Sequence, residues 1–364
     1  MDTGDQPIRI LILPGDGIGP EITAAARRAL ETVDDKFALG LAFDQRDVGL
    51  AAHAAEGSTL PDTILEATRA ADGVVLGPCD SAAYPPPEDG GISPSAGIRK
   101  GLDLYANIRP SKTRSGVPAA ADAMDLVIVR ENTEGFYADR NMVEGSGEFK
   151  PDADTAFAIR KITRAGSRRI ARAAFDLARR RGQHVTAVHK ANVLRVTDGL
   201  FMEAVHELAA EHPDVALDHM HVDAMAAALV TRPERFDVIV TTNMFGDILS
   251  DEAAAVAGGL GLAAGLNAGE DNAVAQAVHG SAPDIAGQGI ANPTSLILSA
   301  GMLLEWLAAR HGRNDMAAAA GCMERAVNTI LADPGQHTPD LGGTSSTAAF
   351  GDAVVAAIEA TATD

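Results

Sequence analysis

The chain is poor in cysteine and in aromatic residues, and each shortage excludes a class of protein. Cys79 and Cys322 are the only cysteines among 364 residues, too few for a disulfide framework and without the spacing of a zinc site. We expect both to be buried thiols. Aromatic residues make up 4% of the sequence and hydrophobic residues 46%, so the core should be aliphatic.

Long apolar runs and a basic leader are also missing. No apolar stretch approaches the roughly 18 residues of a membrane span, and the acidic start MDTGD lacks the basic region of a signal peptide. A formal net charge of −20 opposes binding to nucleic acid and to anionic membranes. We therefore predict a cytoplasmic protein without either partner, in which a local arginine cluster must hold any anionic substrate.

Apolar runs typical of strands recur along the chain, at residues 8–13, 73–76, 126–129, 185–188 and 236–240. Stretches with helical periodicity separate them, and this alternation predicts an α/β protein with a largely parallel sheet. The length predicts two domains or one two-lobed unit. Residues 162–177 predict a helix with a solvated, arginine-rich face, and residues 139–154 predict an exposed arm or hairpin.

The most informative segment is NMFGDILSD, residues 243–251, which follows the last of these runs. It places Asp247 and Asp251 four residues apart on a predicted helix, so both carboxylates share one face. Two such acids repel each other unless a cation lies between them, and carboxylate oxygens suit Mg²⁺ or Mn²⁺. The competing interpretation is that acidic residues simply favour the N-terminus of a helix.

Other predicted strands also end in reactive side chains. Arg130 and Tyr137 follow one run and Lys190 follows another, and in open α/β sheets the loops beyond the carboxyl ends of the strands form the site. Arg99 and Arg109 flank a short element before these runs. Guanidinium groups bind carboxylates through paired hydrogen bonds, so three arginines beside these loops favour a di- or tricarboxylate site over simple surface solvation.

Two loops have the composition of ligand sites. The first, PGDGIGP over residues 14–20, follows a strand and precedes a helix, but its glycine spacing and Pro20 do not fit a Rossmann fingerprint. The second, HGSAPDIAG over residues 279–287, fits a nucleotide, since His279 can contact an adenine and Asp284 can accept ribose hydroxyls and repel a 2′-phosphate. A plain surface loop has a similar composition.

Five motifs together resemble those of the β-decarboxylating dehydrogenases, a family that includes isocitrate, isopropylmalate, homoisocitrate and tartrate dehydrogenases. The match runs from Ile8 to about Phe350 and includes TPDLGG over residues 338–343. The five motifs are RENTEGFY from Arg130, HKANV from His189, VDAM from Val222, NMFGDILSD from Asn243 and HGSAPDIAG from His279.

The resemblance implies a two-lobed α/β fold of the isocitrate/isopropylmalate dehydrogenase type, with a long mixed sheet and a cleft between the lobes, distinct from a Rossmann fold. The implied cofactor-side lobe combines residues 1–104 with 257–364, and residues 105–256 form the lobe of dimerisation and metal binding. A homodimer with shared active sites is also implied, in which Lys190 and Asp223 reach the neighbouring subunit's site.

The implied reaction is the NAD-dependent, Mg²⁺- or Mn²⁺-dependent oxidative decarboxylation of a 3-substituted malate. By resemblance, Lys190 accepts the hydroxyl proton and Tyr137 protonates C3, with Asp223 as a third catalytic residue. The metal ligands would be Asp223, Asp247 and Asp251. The substrate would contact Ser93, Ser95, Arg99, Arg109 and Arg130. The cofactor would contact Ile18, Asn192, His279, Gly280, Ser281, Ala282, Asp284, Ile285 and Asn292.

The sequence departs from the family pattern at two places. Gln276-Ala277 replaces the usual acidic pair before the cofactor loop, and residues 92–99 lack the pattern of isopropylmalate enzymes. Ser93 and Ser95 favour a polar 3-substituent, as in isocitrate or homoisocitrate, unless Ser95 merely caps a helix beginning near Ala96. The alternatives are an isopropylmalate, tartrate or malate enzyme, a 2-hydroxyacid dehydrogenase without decarboxylation, and a non-catalytic regulatory subunit, which the acids, Tyr137 and Lys190 disfavour.

Overall fold

The computed structural model describes residues 7–137 and 147–362, and these divide into two compact units. The first unit comprises the described parts of Met1–Leu102, Arg114–Pro118 and Gly258–Asp364, and the second comprises those of Asp103–Thr113 and Ala119–Ala257. Within the described ranges, no helix is long and apolar enough to cross a membrane.

The described residues form twelve strands in chain order. They are β1 (Ile8–Leu13), β2 (Leu41–Gln45), β3 (Gly73–Leu76), β4 (Ala106–Lys112), β5 (Asp125–Glu131), β6 (Glu148–Asp152), β7 (Thr155–Ala158), β8 (His184–His189), β9 (Ala216–His221), β10 (Val238–Thr241), β11 (Leu266–Ala268) and β12 (Ala273–Gln276). All except β6 and β7 belong to a long mixed sheet, which confirms the predicted fold class.

Eleven α-helices accompany the strands in the described part of the chain. They are α1 (Gly19–Phe37), α2 (Leu50–Glu56), α3 (Asp62–Ala70), α4 (Pro94–Gly101), α5 (Arg164–Arg179), α6 (Thr197–Glu211), α7 (Val222–Thr231), α8 (Asn243–Ala257), α9 (Thr294–His311), α10 (Asn314–Leu331) and α11 (Thr347–Ala360).

The first unit carries its strands in the order β2-β1-β3-β12-β11. The pairings are parallel except that of β11 with β12, which is antiparallel. β3 is buried along its whole length, as is typical of a parallel strand covered on both faces. Cys322 is buried as predicted, whereas Cys79 is only partly buried, so the prediction for that thiol is wrong.

The second unit carries its strands in the order β4-β5-β10-β8-β9, parallel except for the antiparallel pair of β4 and β5. An apolar cluster covers each face of this sheet. One includes Ile170 and Phe175 of α5 with Phe201 of α6, and the other includes Leu229 of α7 and Leu249 of α8. The buried strands β5, β10 and β8 therefore hold their carboxyl-terminal residues in fixed positions.

Two surface predictions have structural counterparts. The helix predicted over residues 162–177 is α5, whose arginines form exposed ion pairs with acidic residues such as Glu207 and Glu211. Part of the predicted arm at residues 139–154 lies outside the described residues. Its described part contains β6, which pairs with β7 in an antiparallel hairpin. The exposed rings of Phe149 and Phe157 stack on this hairpin with centroids 5.4 Å apart.

Candidate active site

The two carboxylates of the NMFGDILSD segment lie on α8, directly after β10, and a guanidinium group bridges them. Nη1 of Arg109 on β4 lies 3.4 Å from Asp247 Oδ1 and 3.1 Å from Asp251 Oδ1. The same nitrogen donates to Ser250 Oγ at 2.7 Å. The first turn of α8 contains no acidic residue, so attraction to the helix N-terminus does not account for the acids.

Arg130 and Tyr137 converge on the same carboxylate. The buried Arg130, near the end of β5, donates Nη1 to Asp247 Oδ1 and donates Nε and Nη2 to Asn243 Oδ1 at 2.9 and 2.7 Å. The Tyr137 hydroxyl donates to Asp247 Oδ2. Gly246 permits this approach, because a Cβ there would lie 2.6 Å from Arg130 Cβ. The second unit thus brings together Arg109, Arg130, Tyr137, Asp247 and Asp251.

The electrostatics of this cluster fit a cation-binding site. Burial raises the pKa of Asp251 above its usual value, and the neighbouring Asp247 raises it further, while Arg109 and Arg130 lower it. Asp247 and Asp251 would hold a divalent cation, whose positive charge would offset the repulsion that they exert on each other. Their hard oxygen donors, four residues apart on one helix face, match the ligand preference of Mg²⁺ or Mn²⁺.

Lys190 and Asp223 form a second pair in the same unit. Lys190 follows β8 and Asp223 lies in the first turn of α7, and Lys190 Nζ donates to Asp223 Oδ1 at 2.5 Å. This hydrogen bond lowers the pKa of Asp223. Among the described residues, no three acidic, histidine or cysteine side chains of one chain are grouped to hold a metal, so Asp223 does not join Asp247 and Asp251 within one chain.

The predicted cofactor residues lie mainly in the first unit, around a cavity of about 620 Å³. Its lining includes predicted residues and others that sequence analysis did not select. The predicted ones are Ile18, His279, Gly280, Ala282, Ile285 and Asn292, and the others are Gly261, Ile290, Ala291, Pro339 and Asp340. Ser281 is buried beside this lining, Asp284 is exposed on the loop, and Asn192 is exposed in the turn after β8 in the second unit.

Backbone contacts join the two predicted ligand loops at this cavity. Ile18 N donates to Ser281 O at 2.8 Å, and a Cβ added at Gly17 would lie 2.0 Å from Ser281 O. Gly17 also has a positive φ of 59°, which glycine adopts without strain. The glycines of the first loop therefore allow two loops to pack together.

His279 and Asp340 give the cavity its polar character. Burial lowers the pKa of His279, and its Nε2 is buried without a hydrogen-bond partner in the described part of the chain. A bound nucleotide could supply the missing partner, so the residues fit the cofactor. Asp340 accepts hydrogen bonds from Asn292 Nδ2 at 3.1 Å and from Thr338 Oγ1 at 2.5 Å. The only sequence signal for Asp340 was its place in the motif TPDLGG.

The serines predicted to contact the substrate differ in their surroundings. Ser93 is the N-cap of α4, which begins at Pro94, and accepts from Ala96 N at 3.5 Å. The capping role considered for Ser95 therefore belongs to Ser93. Ser95 Oγ donates to Gln276 Oε1 at 3.0 Å, and Arg99 Nη2 donates to the same oxygen at 3.1 Å. Gln276 thus orients two predicted substrate residues.

Comparison with known proteins decides the family. The family model for isocitrate/isopropylmalate dehydrogenase matches residues 9–354. The chain belongs to this family. It is an oxidoreductase of the isocitrate/isopropylmalate dehydrogenase type that acts on a small molecule, and the resemblance inferred from its motifs is confirmed.

Relatives of this chain are named for different substrates. The chain is 44% identical over 352 residues to an isocitrate/homoisocitrate dehydrogenase of Thermus thermophilus, covering 96% of this chain and 98% of the relative. It is also 44% identical over 339 residues to a 3-isopropylmalate dehydrogenase of Methanothermobacter thermautotrophicus, covering 93% and 94%. Equal identities to differently named relatives mean that identity alone does not distinguish the substrates.

A solved structure shares the fold. The crystal structure of isocitrate dehydrogenase from Methylococcus capsulatus matches with a TM-score of 0.85 and 44% identity, covering 96% of this chain and 99% of that chain. The α/β architecture described above is therefore that of the family.

Proposed function

We propose that this protein catalyses the NAD-dependent, divalent-metal-dependent oxidative decarboxylation of a 3-substituted malate. The observation that carries the proposal is the convergence of Arg109, Arg130 and Tyr137 on Asp247, with Asp251 on the same face of α8. Two guanidinium groups can hold substrate carboxylates, the acids can hold a cation, and the phenol can donate a proton.

Each side chain then has a task that its position supports. Arg109 and Arg130 bind the malate carboxylates, and family resemblance adds Arg99 to this set. Asp247 and Asp251, with Asp223 of the partner subunit, would hold Mg²⁺ or Mn²⁺. When bound, the cation would supply Lewis acidity for the oxidation and decarboxylation, and the nicotinamide cofactor would supply the hydride acceptor.

Proton transfers fall to Lys190 and Tyr137. Lys190 accepts the substrate hydroxyl proton as the hydride leaves C2, the bond between C3 and the carboxylate then breaks to release CO2, and Tyr137 returns a proton to C3. Asp223 now accepts a hydrogen bond from Lys190. This hydrogen bond places the proposed base next to a proposed metal ligand, so Lys190 and Asp223 would enter the same site together.

We propose NAD⁺ as the cofactor because one carboxylate lines the nucleotide cavity and another lies on the loop that contributes to it. Asp340 lines the cavity and Asp284 is exposed on the loop that contributes His279. Their negative charges would repel the 2′-phosphate of NADP⁺.

Within the 3-substituted malates, we propose a polar substituent, as in isocitrate or homoisocitrate. Ser95 Oγ beside Arg99 favours a substituent that accepts hydrogen bonds. A relative named isocitrate/homoisocitrate dehydrogenase is consistent with this choice. The second candidate substrate is 3-isopropylmalate, which the name of an equally identical relative supports.

The proposal includes a homodimer with shared sites and a cytoplasmic location. The absence of a three-ligand group from the described residues of one chain supports a contribution of Asp223 to a second chain. Analytical ultracentrifugation would test the dimer, and fractionation of the source cells would test the location.

The function is tested by assaying the purified protein with NAD⁺ and Mg²⁺ or Mn²⁺ against isocitrate, homoisocitrate, 3-isopropylmalate, tartrate and malate. We expect NADH and CO2 in equal amounts and the highest kcat/KM with a tricarboxylic substrate. NADH without CO2 would support a simple 2-hydroxyacid dehydrogenase, and absence of NADH with every substrate would support a regulatory subunit.

A further inference from the structure

A buried ion pair of the second unit, formed by Arg160 and Asp198, lies next to the turn of Lys190 and has no role in the proposed reaction. Asp198, in the first turn of α6, is fully buried, and the side chain of its partner Arg160 is 6% exposed. Asp198 Oδ1 accepts from Arg160 Nη1, and Asp198 Oδ2 accepts from the backbone N–H of Lys190 at 2.6 Å. One carboxylate thus joins the guanidinium to the turn that carries the proposed base.

Arg160 contacts two further segments of the candidate site. Its guanidinium carbon lies 5.5 Å from the ring centroid of Phe136 and 5.2 Å from that of Phe245. Phe136 immediately precedes Tyr137, and Phe245 lies two residues before Asp247. Nη2 of Arg160 also donates to Thr242 Oγ1 at 3.0 Å, at the junction between β10 and α8. Arg160 therefore contacts the segments of Tyr137 and Asp247 directly and is connected to the turn of Lys190 through Asp198.

Stability alone is a weak explanation for this pair. Removing two charges from water costs several kcal/mol per ion, and apolar residues of similar volume are often equally stabilising. What an apolar pair could not provide is an acceptor for the Lys190 N–H together with a cation close to two aromatic rings.

We propose that Arg160 and Asp198 are positioning residues, which set the turn of Lys190 relative to the segments of Tyr137 and Asp247. The inference rests on the proposed function, because it assigns the role of base to Lys190. Asp198 accepts a hydrogen bond from the backbone N–H of Lys190. This bond fixes the backbone of the turn and therefore the direction of the Lys190 side chain. Small displacements of a reacting group lower the rate of chemistry much more than they weaken substrate binding.

The test compares Asp198→Asn with Asp214→Asn. Asp214 also pairs with an arginine of the second unit, at 2.7 Å from Arg179 Nε, but both side chains are 42% exposed, and this makes it a matched control. For Asp198→Asn we expect kcat to fall by about 10- to 100-fold and KM to change by less than about threefold. The solvent isotope effect on kcat should rise, since proton transfer becomes slower. Asp214→Asn should keep wild-type values.

A second readout does not depend on turnover. The rate at which acetic anhydride labels Lys190, measured by peptide mass spectrometry relative to Lys112, reports on the surroundings of the amine. It should change by at least about threefold in Asp198→Asn and stay constant in Asp214→Asn. If the wild type turns over no malate but this labelling change is seen, the proposed function fails while the positioning of Lys190 stands.

A folded Asp198→Asn variant with wild-type kcat and labelling rate would overturn the inference, even if its Tm fell. If Asp198→Asn does not fold, Thr242→Val replaces it, because that change removes only one acceptor of Arg160 and preserves side-chain volume. We expect Thr242→Val to lower kcat by about 3- to 10-fold with little change in KM. An unchanged kcat in a folded Thr242→Val variant would likewise reject the role.

Discussion

Lys190 Nζ donates to Asp223 Oδ1 at 2.5 Å within a single chain, so the proposed base and one proposed metal ligand form a hydrogen-bonded pair. This pair arises from adjacent parallel strands, since β8 leads to Lys190 and β9 leads to Asp223. The other proposed metal ligands, Asp247 and Asp251, gather instead around Arg109. In the proposed homodimer, Asp223 of the partner subunit would join Asp247 and Asp251 as the third metal ligand.

Subunit mixing tests this arrangement. A Lys190→Met chain and a Tyr137→Phe chain each lack one proton-transfer group, so both homodimers should have little activity. In heterodimers, one of the two sites would combine wild-type Tyr137 of one chain with wild-type Lys190 of the other. Activity should rise after mixing towards about a quarter of the wild-type value, if exchange is random and the sites act independently.

The control for mixing is subunit exchange itself, followed by native mass spectrometry of chains that carry different tags. Activity that never exceeds that of either parent, despite verified heterodimers, would mean that Lys190 and Tyr137 act within one chain.

Removing a proposed metal ligand should weaken cation binding without unfolding the protein. Asp247→Asn keeps the side-chain volume, while it loses the charge that Arg109, Arg130 and Tyr137 surround. We expect kcat/KM to fall by about 30- to 1000-fold, which corresponds to about 2–4 kcal/mol of lost transition-state stabilisation. Calorimetric titration with Mn²⁺ should show weakened binding as well.

Asp62→Asn provides the control for the metal prediction, since Asp62 is an exposed acid in the first turn of α3. It should leave Mn²⁺ binding and turnover intact. Full turnover of the wild type in excess chelator would contradict a metal-dependent reaction.

How far the sequence predicted the strands depended on their burial. The runs predicted at residues 8–13 and 73–76 are β1 and β3, because strands buried on both faces have continuous apolar sequences. β9 was not predicted, since this edge strand, with the sequence ALDHMH, is mostly exposed and has no apolar run. β4 was missed because Pro110 and polar residues interrupt it.

In the candidate site, local spacing predicted some features, whereas contacts between residues distant in sequence were not predicted. The spacing of Asp247 and Asp251 was enough to place them on one helix face. Their contact with Arg109 depends on the packing of β4 beside α8, which no local pattern encodes. The ion pair of Arg160 with Asp198 likewise joins residues that are distant in sequence and carry no motif of their own.

The preference for NAD⁺ over NADP⁺ should depend on the acidic residues at the nucleotide cavity. The wild type should give a kcat/KM with NAD⁺ at least about tenfold higher than with NADP⁺, because Asp340 and Asp284 repel the 2′-phosphate. Asp284→Asn, on the loop that contributes His279, should narrow this ratio, and Asp333→Asn, at an acid outside both this loop and the cavity lining, should not. An equal or higher value for wild-type enzyme with NADP⁺ would contradict the assignment of this loop.

Acidification should affect stability through His279. Burial lowers the pKa of this residue below its ordinary value of 6.5, so the folded state favours the neutral ring. Its contribution is thus fully present above about pH 6.5 and is lost as the pH falls towards the lowered pKa, because the unfolded chain then binds the proton more readily.

Thermal denaturation of the wild type and of His279→Asn measures the contribution of His279 to stability at each pH. The Tm of the wild type minus that of His279→Asn should decrease between pH 7.5 and pH 5.5, whereas the same difference for His311→Asn, at the exposed end of α9, should stay constant. A difference for His279→Asn that does not vary with pH would contradict a neutral, partly buried ring.

Substrate preference should depend on Ser95 and not on Ser93. Ser95 Oγ lies 3.0 Å from Gln276 Oε1, the atom that also accepts from Arg99, whereas Ser93 caps α4. Ser95→Leu should lower kcat/KM for isocitrate and homoisocitrate by about 5- to 150-fold, or about 1–3 kcal/mol, because the hydroxyl is lost where a third carboxylate would bind. The value for 3-isopropylmalate should fall less or rise.

Ser93→Ala is the matched control for this substitution. Losing the cap should cost about 1 kcal/mol of stability, visible as a lower Tm, while the ratio of kcat/KM values between substrates stays constant. A wild-type preference for 3-isopropylmalate would reject the role of Ser95 and leave the family assignment intact. A shift in preference caused by Ser93→Ala as large as that caused by Ser95→Leu would mean that the conformation of α4, and not the Ser95 hydroxyl, selects the substrate.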